Sequence, residues 1–388
     1  MKPLDIIMIN MSGYAEWQHG VSNRNGQLIR EFAAMPHIRR ILAVDYPPLT
    51  LKRALRNTWE NIIPALDGGT VQFRTPYDKL TKLSDAVFVY SNSEFFIRPE
   101  HFVKRVRQVA LKLSMADYLV WSYFPPLAPY MRSFGQKLTV FDAVDNWAEH
   151  PSYRTLRERM VSWYATIRQT ADVIFTVAED LQKLFDNQPN VYWVPNGVDL
   201  AHYQTKHRLV SRDIADLPRP IIGYIGVIQE RVDLDLITYL AAKNQNKTFV
   251  LVGPIWHDED ANRLATIKNV HILGYKSYEE APAYIQQFDV ALIPHRQSRF
   301  ITSTNPMKLY EYLACGKPVV ATKYSGVDLL KDVVYVASDK EDFNRKLFLA
   351  LEEDSEERQD ARKKAVEEYS WNAIARRMLD IVSKKLTY

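Results

Sequence analysis

The chain of 388 residues carries one cysteine, Cys315. That excludes an internal disulfide and fits a reducing compartment. Its place on an apolar helical face points to packing rather than nucleophilic use. Long apolar runs are missing too. None free of charge reaches the ~18 residues a membrane-spanning helix needs, and the longest candidate, Leu119 to Met131, holds three prolines. Met1–Lys2 leads directly into the strand-like, acid-bearing Leu4–Asp5–Ile6–Ile7–Met8–Ile9, without a secretory pattern. The expectation is a cytoplasmic chain that is soluble or, at most, lies on the inner face of the cell membrane. A large charge excess is also lacking: 50 Lys and Arg against 46 Asp and Glu leave +4, too little to argue for nucleic acid. No His/Cys cluster has metal-ligand spacing, and no G-x-G-x-x-G follows the first strand, against a nicotinamide enzyme. There are no internal repeats and no low-complexity segment.

What is present is an alternation of short apolar strands with amphipathic helices, the pattern of α/β architecture with parallel sheets. In the first half, strands are expected at Leu4–Asn10, Arg40–Asp45, Asp85–Tyr90, Tyr118–Ser122, Leu138–Phe141, Val173–Val177 and Val191–Val194. A polar stretch, Thr205–Pro220, reads as a linker. The rhythm then restarts with Ile221–Ile225, Thr248–Val252, Val270–Leu273, Val290–Ile293, Pro318–Ala321 and Val333–Val336. The length suits two domains: residues 1–204, a linker at 205–220, and 221–369, with the terminal helix 370–388 packing back on the first. Two Rossmann-like domains facing each other across a ligand-binding cleft are expected.

The most informative stretch is Asn305–Pro306–Met307–Lys308, followed by Glu311. Asn305 suits an N-cap and Pro306 the first helical position. The free N–H groups of Met307 and Lys308, together with the Lys308 charge, would then meet an anion at the positive end of the helix. Glu311 shares that face one turn deeper. Cation and N–H groups suit a diphosphate, and a carboxylate suits two ribose hydroxyls. The helix starts just beyond a strand's carboxyl end, where open α/β sheets bind ligands.

The order Pro195–Asn196–Gly197–Val198–Asp199, Gly223–Tyr224–Ile225–Gly226, Leu251–Val252–Gly253–Pro254, Val270–His271–Ile272–Leu273–Gly274, then Lys308…Glu311…Gly316–Lys317–Pro318 resembles GT-B glycosyltransferases. It is nearest to glycosyltransferase family 4 and the teichuronic-acid-type polysaccharide transferases, and more distantly similar to the xanthan glucuronosyltransferase. Three positions depart from family 4. Arg231 stands in for a Lys usual a few residues after the glycine equivalent to Gly226. Val227 stands where an Arg is usual, and Ser303 where a second acid is usual, which leaves inverting or retaining stereochemistry open.

The resemblance implies transfer of a sugar from a nucleotide sugar, a UDP-sugar above others, to a saccharide or lipid-linked saccharide acceptor of the bacterial cell envelope. No cofactor or metal is expected. Gly226, Arg231, Gly253, Gly274, His295, Thr304, Met307, Lys308 and Glu311 would bind the donor, with Arg231 and Lys308 neutralising the leaving diphosphate. Arg24, Asp142 and His150 would lie on the acceptor side. Asp145, in the loop after Leu138–Phe141, matches the catalytic Asp of the xanthan enzyme by position, and His19 is a second candidate base. Asp233–Leu234–Asp235 spells a metal-binding pattern, but its place at a helix start favours capping. The basic helix around Arg98, Lys104, Arg105, Arg107 and Lys112 offers a peripheral membrane contact; a solvated face is the plainer reading. A GT-B sugar-nucleotide epimerase and a non-catalytic two-domain sugar-binding protein are the alternatives.

Overall fold

The computed structural model describes residues 3–20, 22–64, 68–94, 98–206, 211–323 and 327–386. The chain divides into two compact units, Met1–Val194 with Ala375–Tyr388, and Pro195–Ile374. The first boundary thus falls ten residues before the position expected from sequence, and 205–220 lies inside the second unit. Described parts of that segment are tied down there: Lys276 Nζ donates to Asp213 at 2.8 Å and Gln286 Nε2 donates to the Thr205 carbonyl at 2.8 Å.

In the first unit the described strands are β1 (Leu4–Ile9), β2 (Ile38–Val44), β3 (Thr70–Arg74), β4 (Asp78–Lys82), β5 (Val87–Asn92), β6 (Tyr118–Ser122), β7 (Leu138–Ala143), β8 (Val173–Thr176) and β9 (Val191–Trp193). They form one sheet in the order β3-β4-β5-β2-β1-β6-β7-β8-β9. From β5 to β9 neighbouring strands run parallel, as the apolar runs predict, while β3, β4 and β5 pair antiparallel. Strand order reverses between β1 and β6, so the loops after these two strands diverge and leave room for a ligand. Trp121 of β6 is fully buried and stacks on Phe175 of β8, ring centroids 5.3 Å apart.

The second unit holds β10 (Ile221–Ile225), β11 (Thr248–Val252), β12 (Val270–Gly274), β13 (Val290–Ile293), β14 (Val319–Thr322) and β15 (Val334–Ala337). The order is β12-β11-β10-β13-β14-β15, with parallel pairing throughout. Ile222, Tyr224, Leu251, Val290, Leu292 and Val320 lie in its continuous buried core. Burial on both faces explains why these strands read as unbroken apolar runs. The reversal here lies between β10 and β13, whose carboxyl ends carry Gly226 and His295.

Among the elements outside the sequence expectation are β3, β4 and a helix at Leu51–Ile62. Asp78, Lys79 and Thr81 of β4 are buried polar residues, so the strand has little apolar signal.

Candidate functional site

The carboxyl ends of β10, β11 and β12 form a row of glycines. Gly226 N–H donates to the Val252 carbonyl at 2.9 Å, and Gly253 N–H to the Gly274 carbonyl at 2.8 Å. Gly226 and Gly253 have φ of +137° and +136°, a region that side chains rarely tolerate. A Cβ on Gly253 would stand 2.2 Å from the Gly226 carbonyl oxygen, and one on Gly226 would stand 3.2 Å from Lys308 Nζ. The row therefore keeps a bare backbone surface beside the Lys308 amine.

Lys308 is the second residue of the helix Met307–Ala314. The cap differs from the sequence expectation. Pro306, in extended conformation, is the N-cap, and no side chain caps the helix start. Asn305 instead ties the 195–199 turn to this helix. Its Oδ1 accepts from Asn196 N–H at 2.8 Å, its carbonyl accepts from Asn196 Nδ2 at 2.6 Å, and its Nδ2 donates to the Tyr310 hydroxyl at 3.0 Å. Asn305 was suited to capping by residue type; the long-range partner that claims its side chain could not be seen locally. No side chain therefore caps the first backbone N–H groups of the helix tip.

Lys308 Nζ lies 5.2 Å from the Tyr224 ring centroid. Its pKa is lowered to about 8, first by burial and then by the Arg231 charge, with Glu311 opposing. Glu311 is raised by burial, against the pull of Lys308 and a hydrogen bond from Tyr203. His295, 2% exposed, is held well below its usual range by burial, then by Lys308 and Arg231. At neutral pH it is a neutral imidazole. Arg231 lies over the Phe300 ring at 5.8 Å, and its carbonyl accepts from Arg296 N–H at 2.8 Å. Arg231, His295, Lys308 and Glu311 thus share one electrostatic environment, as the sequence reading grouped them. Tyr203 and Tyr224 were missed; both look like core aromatics in sequence, and only the fold sets them against Glu311 and Lys308. Met307 opens the helix, half-buried. Thr304 is buried and its hydroxyl donates to the Ile301 carbonyl at 2.8 Å, a structural use rather than a free ligand contact. Ser303 likewise donates to Phe300, at 2.7 Å.

In the first unit, a cavity of about 210 Å³ is lined by Ser12, Glu16, Tyr46, Arg53, Tyr123, Phe124, Trp147 and Tyr153, among others. Aromatic faces with one cation and one carboxylate suit a sugar ring or another flat, hydroxylated group. The acceptor-side residues fall around it in unequal ways. Arg24 and Asp142 come together, but as an ion pair 2% and 0% exposed, Nε to Oδ2 2.9 Å. They are not an acceptor-contacting surface; burial converts them into support. Asp142 in turn raises the pKa of the cavity residue Tyr123, after the larger effect of burial. His150 caps the turn Pro151–Leu156, its Nδ1 accepting from Ser152 N–H at 3.1 Å. Asp145 is half-buried in the loop after β7, its carbonyl accepting from the Tyr164 hydroxyl at 3.1 Å. His19 is exposed at the end of the helix Tyr14–Gln18. Asp145, His19 and His150 are not among the cavity-lining residues, although Trp147, two positions after Asp145, is.

Asp233 caps the helix Leu234–Lys243, accepting from Asp235 and Leu236 N–H at 3.1 Å each. Among the described residues no group of three or more His, Cys, Asp or Glu could hold a metal ion. Cys315 Sγ donates to the Tyr203 carbonyl at 3.3 Å, and burial pushes its pKa up, as expected of a packing thiol. On the basic helix Pro99–Lys112, Phe102, Val103, Val106 and Val109 are buried, and Arg105 pairs with Asp78 and Glu94.

Set against known proteins, this combination of fold and site has a clear class. Residues 219–353, within the second unit, match the family described as glycosyl transferases group 1. TuaH of Bacillus subtilis (strain 168), a protein assigned as a glycosyltransferase of teichuronic acid biosynthesis, is 31% identical over 219 residues. The match covers 52% of this chain and 55% of TuaH, so the chain spans about half the length of that curated relative. Among solved structures, HepE from Anabaena, in complex with UDP and glucose, superposes with a TM-score of 0.65 at 17% identity, covering 97% of this chain and 99% of HepE. Sucrose-phosphate synthase from Thermosynechococcus elongatus gives 0.71 at 14% identity, covering both chains fully at 100%. These likenesses establish the fold, which is GT-B. Among the described residues no helix is long and apolar enough to cross a membrane.

Proposed function

We propose that the chain is a glycosyltransferase that moves a sugar from a UDP-sugar to a hydroxyl of a cell-surface polysaccharide or glycolipid. The second unit binds the donor and the first unit the acceptor. One observation supports this most: the uncapped tip of Met307–Ala314 joins a charged amine to bare glycine backbone, with Glu311 one turn deeper. The diphosphate would sit at that tip, between Lys308 and Arg231. The ribose would reach Glu311, oriented by Tyr203. As the bond from sugar C1 to the β-phosphate oxygen breaks, charge grows on that oxygen, and the two cations stabilise it. The acceptor oxygen attacks C1 and gives its proton to Asp145, with His19 the second candidate. Arg231 and Lys308 serve where other transferases use a metal, so none is part of this proposal.

Thermal-shift titration with UDP and GDP tests the donor site. UDP should raise the melting temperature of the wild-type chain more than GDP does, and Glu311→Ala should remove most of that rise. An equal UDP shift in Glu311→Ala would show that the ribose lies elsewhere.

A further inference from the structure

The helix Leu51–Ile62 is built inside out. Its buried residues are Ala54, Asn57 and Asn61. Asn57 Nδ2 donates to the Asn92 carbonyl at 3.3 Å, and Lys79 Nζ donates to the Glu60 carbonyl at 3.3 Å. The polar face is thus the one fastened to the sheet. The opposite face presents Leu51, Leu55, Trp59 and Ile62, exposed by 66%, 64%, 59% and 49%. These positions recur at helical spacing and form one stripe, with Lys52 and Arg56 along its border. Scattered exposed leucines need no explanation, but a continuous apolar stripe edged by cations does.

We propose that this helix docks the protein on an anionic phospholipid surface. Leu51, Leu55 and Ile62 would enter the acyl boundary, Trp59 would sit at the headgroup level, and Lys52 and Arg56 would reach phosphates. Charge selects this occupant: Lys52, Arg53 and Arg56 outnumber Glu60 on the helix, and although Arg53 pairs with Glu16 and Arg56 with Glu60, Lys52 and the exposed Arg56 keep the border of the stripe cationic. Area argues against a second copy of the chain. Four side chains on a 12-residue helix make a patch of a few hundred Å², below the ~800 Å² per partner of a standard interface. The same helix sends Arg53 into the wall of the aromatic cavity, next to Leu49. A lipid-borne substrate would therefore meet the cavity from the docked face. The docking itself asks nothing of any sugar nucleotide, so it can fail while UDP binding holds, or the reverse.

Flotation of the full-length chain with vesicles, without nucleotide, tests the proposal. The wild type should float with phosphatidylcholine–phosphatidylglycerol vesicles and much less with phosphatidylcholine alone. Leu55→Ser with Trp59→Ser should weaken partitioning by about tenfold or more, with an unchanged melting temperature because both side chains face solvent. Lys52→Gln with Arg56→Gln should reduce the anionic preference by about fivefold per charge. The proposal is overturned if the wild type does not float with anionic vesicles, or if the apolar double variant floats as well as the wild type. A solution dimer that this variant dissociates, without vesicle binding, would assign the stripe to self-association instead.

Discussion

If Lys308 grips a diphosphate, its depressed pKa should make nucleotide affinity fall with alkaline pH. In the free protein the amine titrates at about 8 instead of 10.5. A bound polyanion favours the charged form, so binding takes up a proton once the free amine has lost one. With a value near 8, the amine is about nine-tenths charged at pH 7 and about one-tenth at pH 9, so UDP should bind roughly tenfold more weakly at pH 9. UDP's terminal phosphate, with a second pKa of ~6, is already ionised over this range, and the neutral His295 adds no titration. Stability of the unliganded chain should move the other way. Between about 8 and 10.5 the unfolded chain holds the extra proton on this residue, so unfolding becomes harder as pH rises through that window. Isothermal titration calorimetry at pH 7 and 9 reads the affinity, and urea unfolding reads the stability. Lys308→Ala should cost ~1.5–3 kcal/mol of UDP binding at pH 7, about 10- to 150-fold, the range for a hydrogen bond to a charged group. It should also flatten the alkaline fall. A wild type whose affinity is level from pH 7 to 9, or a variant that keeps the slope, would refute the assignment of the diphosphate to Lys308.

The remaining predictions concern the backbone row and the proposed base. Gly253→Ala should destabilise the second unit by ~3 kcal/mol or more, because the new Cβ meets the Gly226 carbonyl and the positive φ is strained as well; a near-wild-type melting temperature would contradict the close approach. Asp145→Asn should lower turnover by 10²-fold or more, in the range of general-base loss, while UDP affinity measured by calorimetry stays unchanged. Near-normal turnover would remove Asp145 from the chemistry and turn attention to His19.

Much of the architecture was legible because buried parallel strands leave apolar runs that survive without any tertiary information. Val290–Ile293 and Thr248–Val252 have the bounds their sequence suggested. The grouping of Lys308 with Glu311 was legible for a related reason: both belong to one short helix, so spacing alone puts them on one face. What stayed hidden depends on partners far along the chain. Asn305 looks like a cap until Asn196, 109 positions away, is folded against it. Arg24 and Asp142, 118 apart, look like site residues until they are found sealed against each other. In the helix Leu51–Ile62 it is the orientation that stayed hidden, since leucines and a tryptophan at helical spacing ordinarily mark the side that faces a core. Here buried asparagines occupy that side, and no local pattern distinguishes the two orientations.

The contact between the backbones of Gly226 and Gly253 restricts which substitutions this wall can take. A side chain at Gly253 would push against the Gly226 carbonyl, and one at Gly226 would press on the Lys308 and Tyr224 side chains, each at a positive φ, so new side chains cannot readily be built on that wall. If the proposed donor site is right, variation in donor choice has to come from the residues around the row, such as those near Arg231 and His295. A mutational library that leaves the two glycines fixed therefore avoids clones strained at these positions.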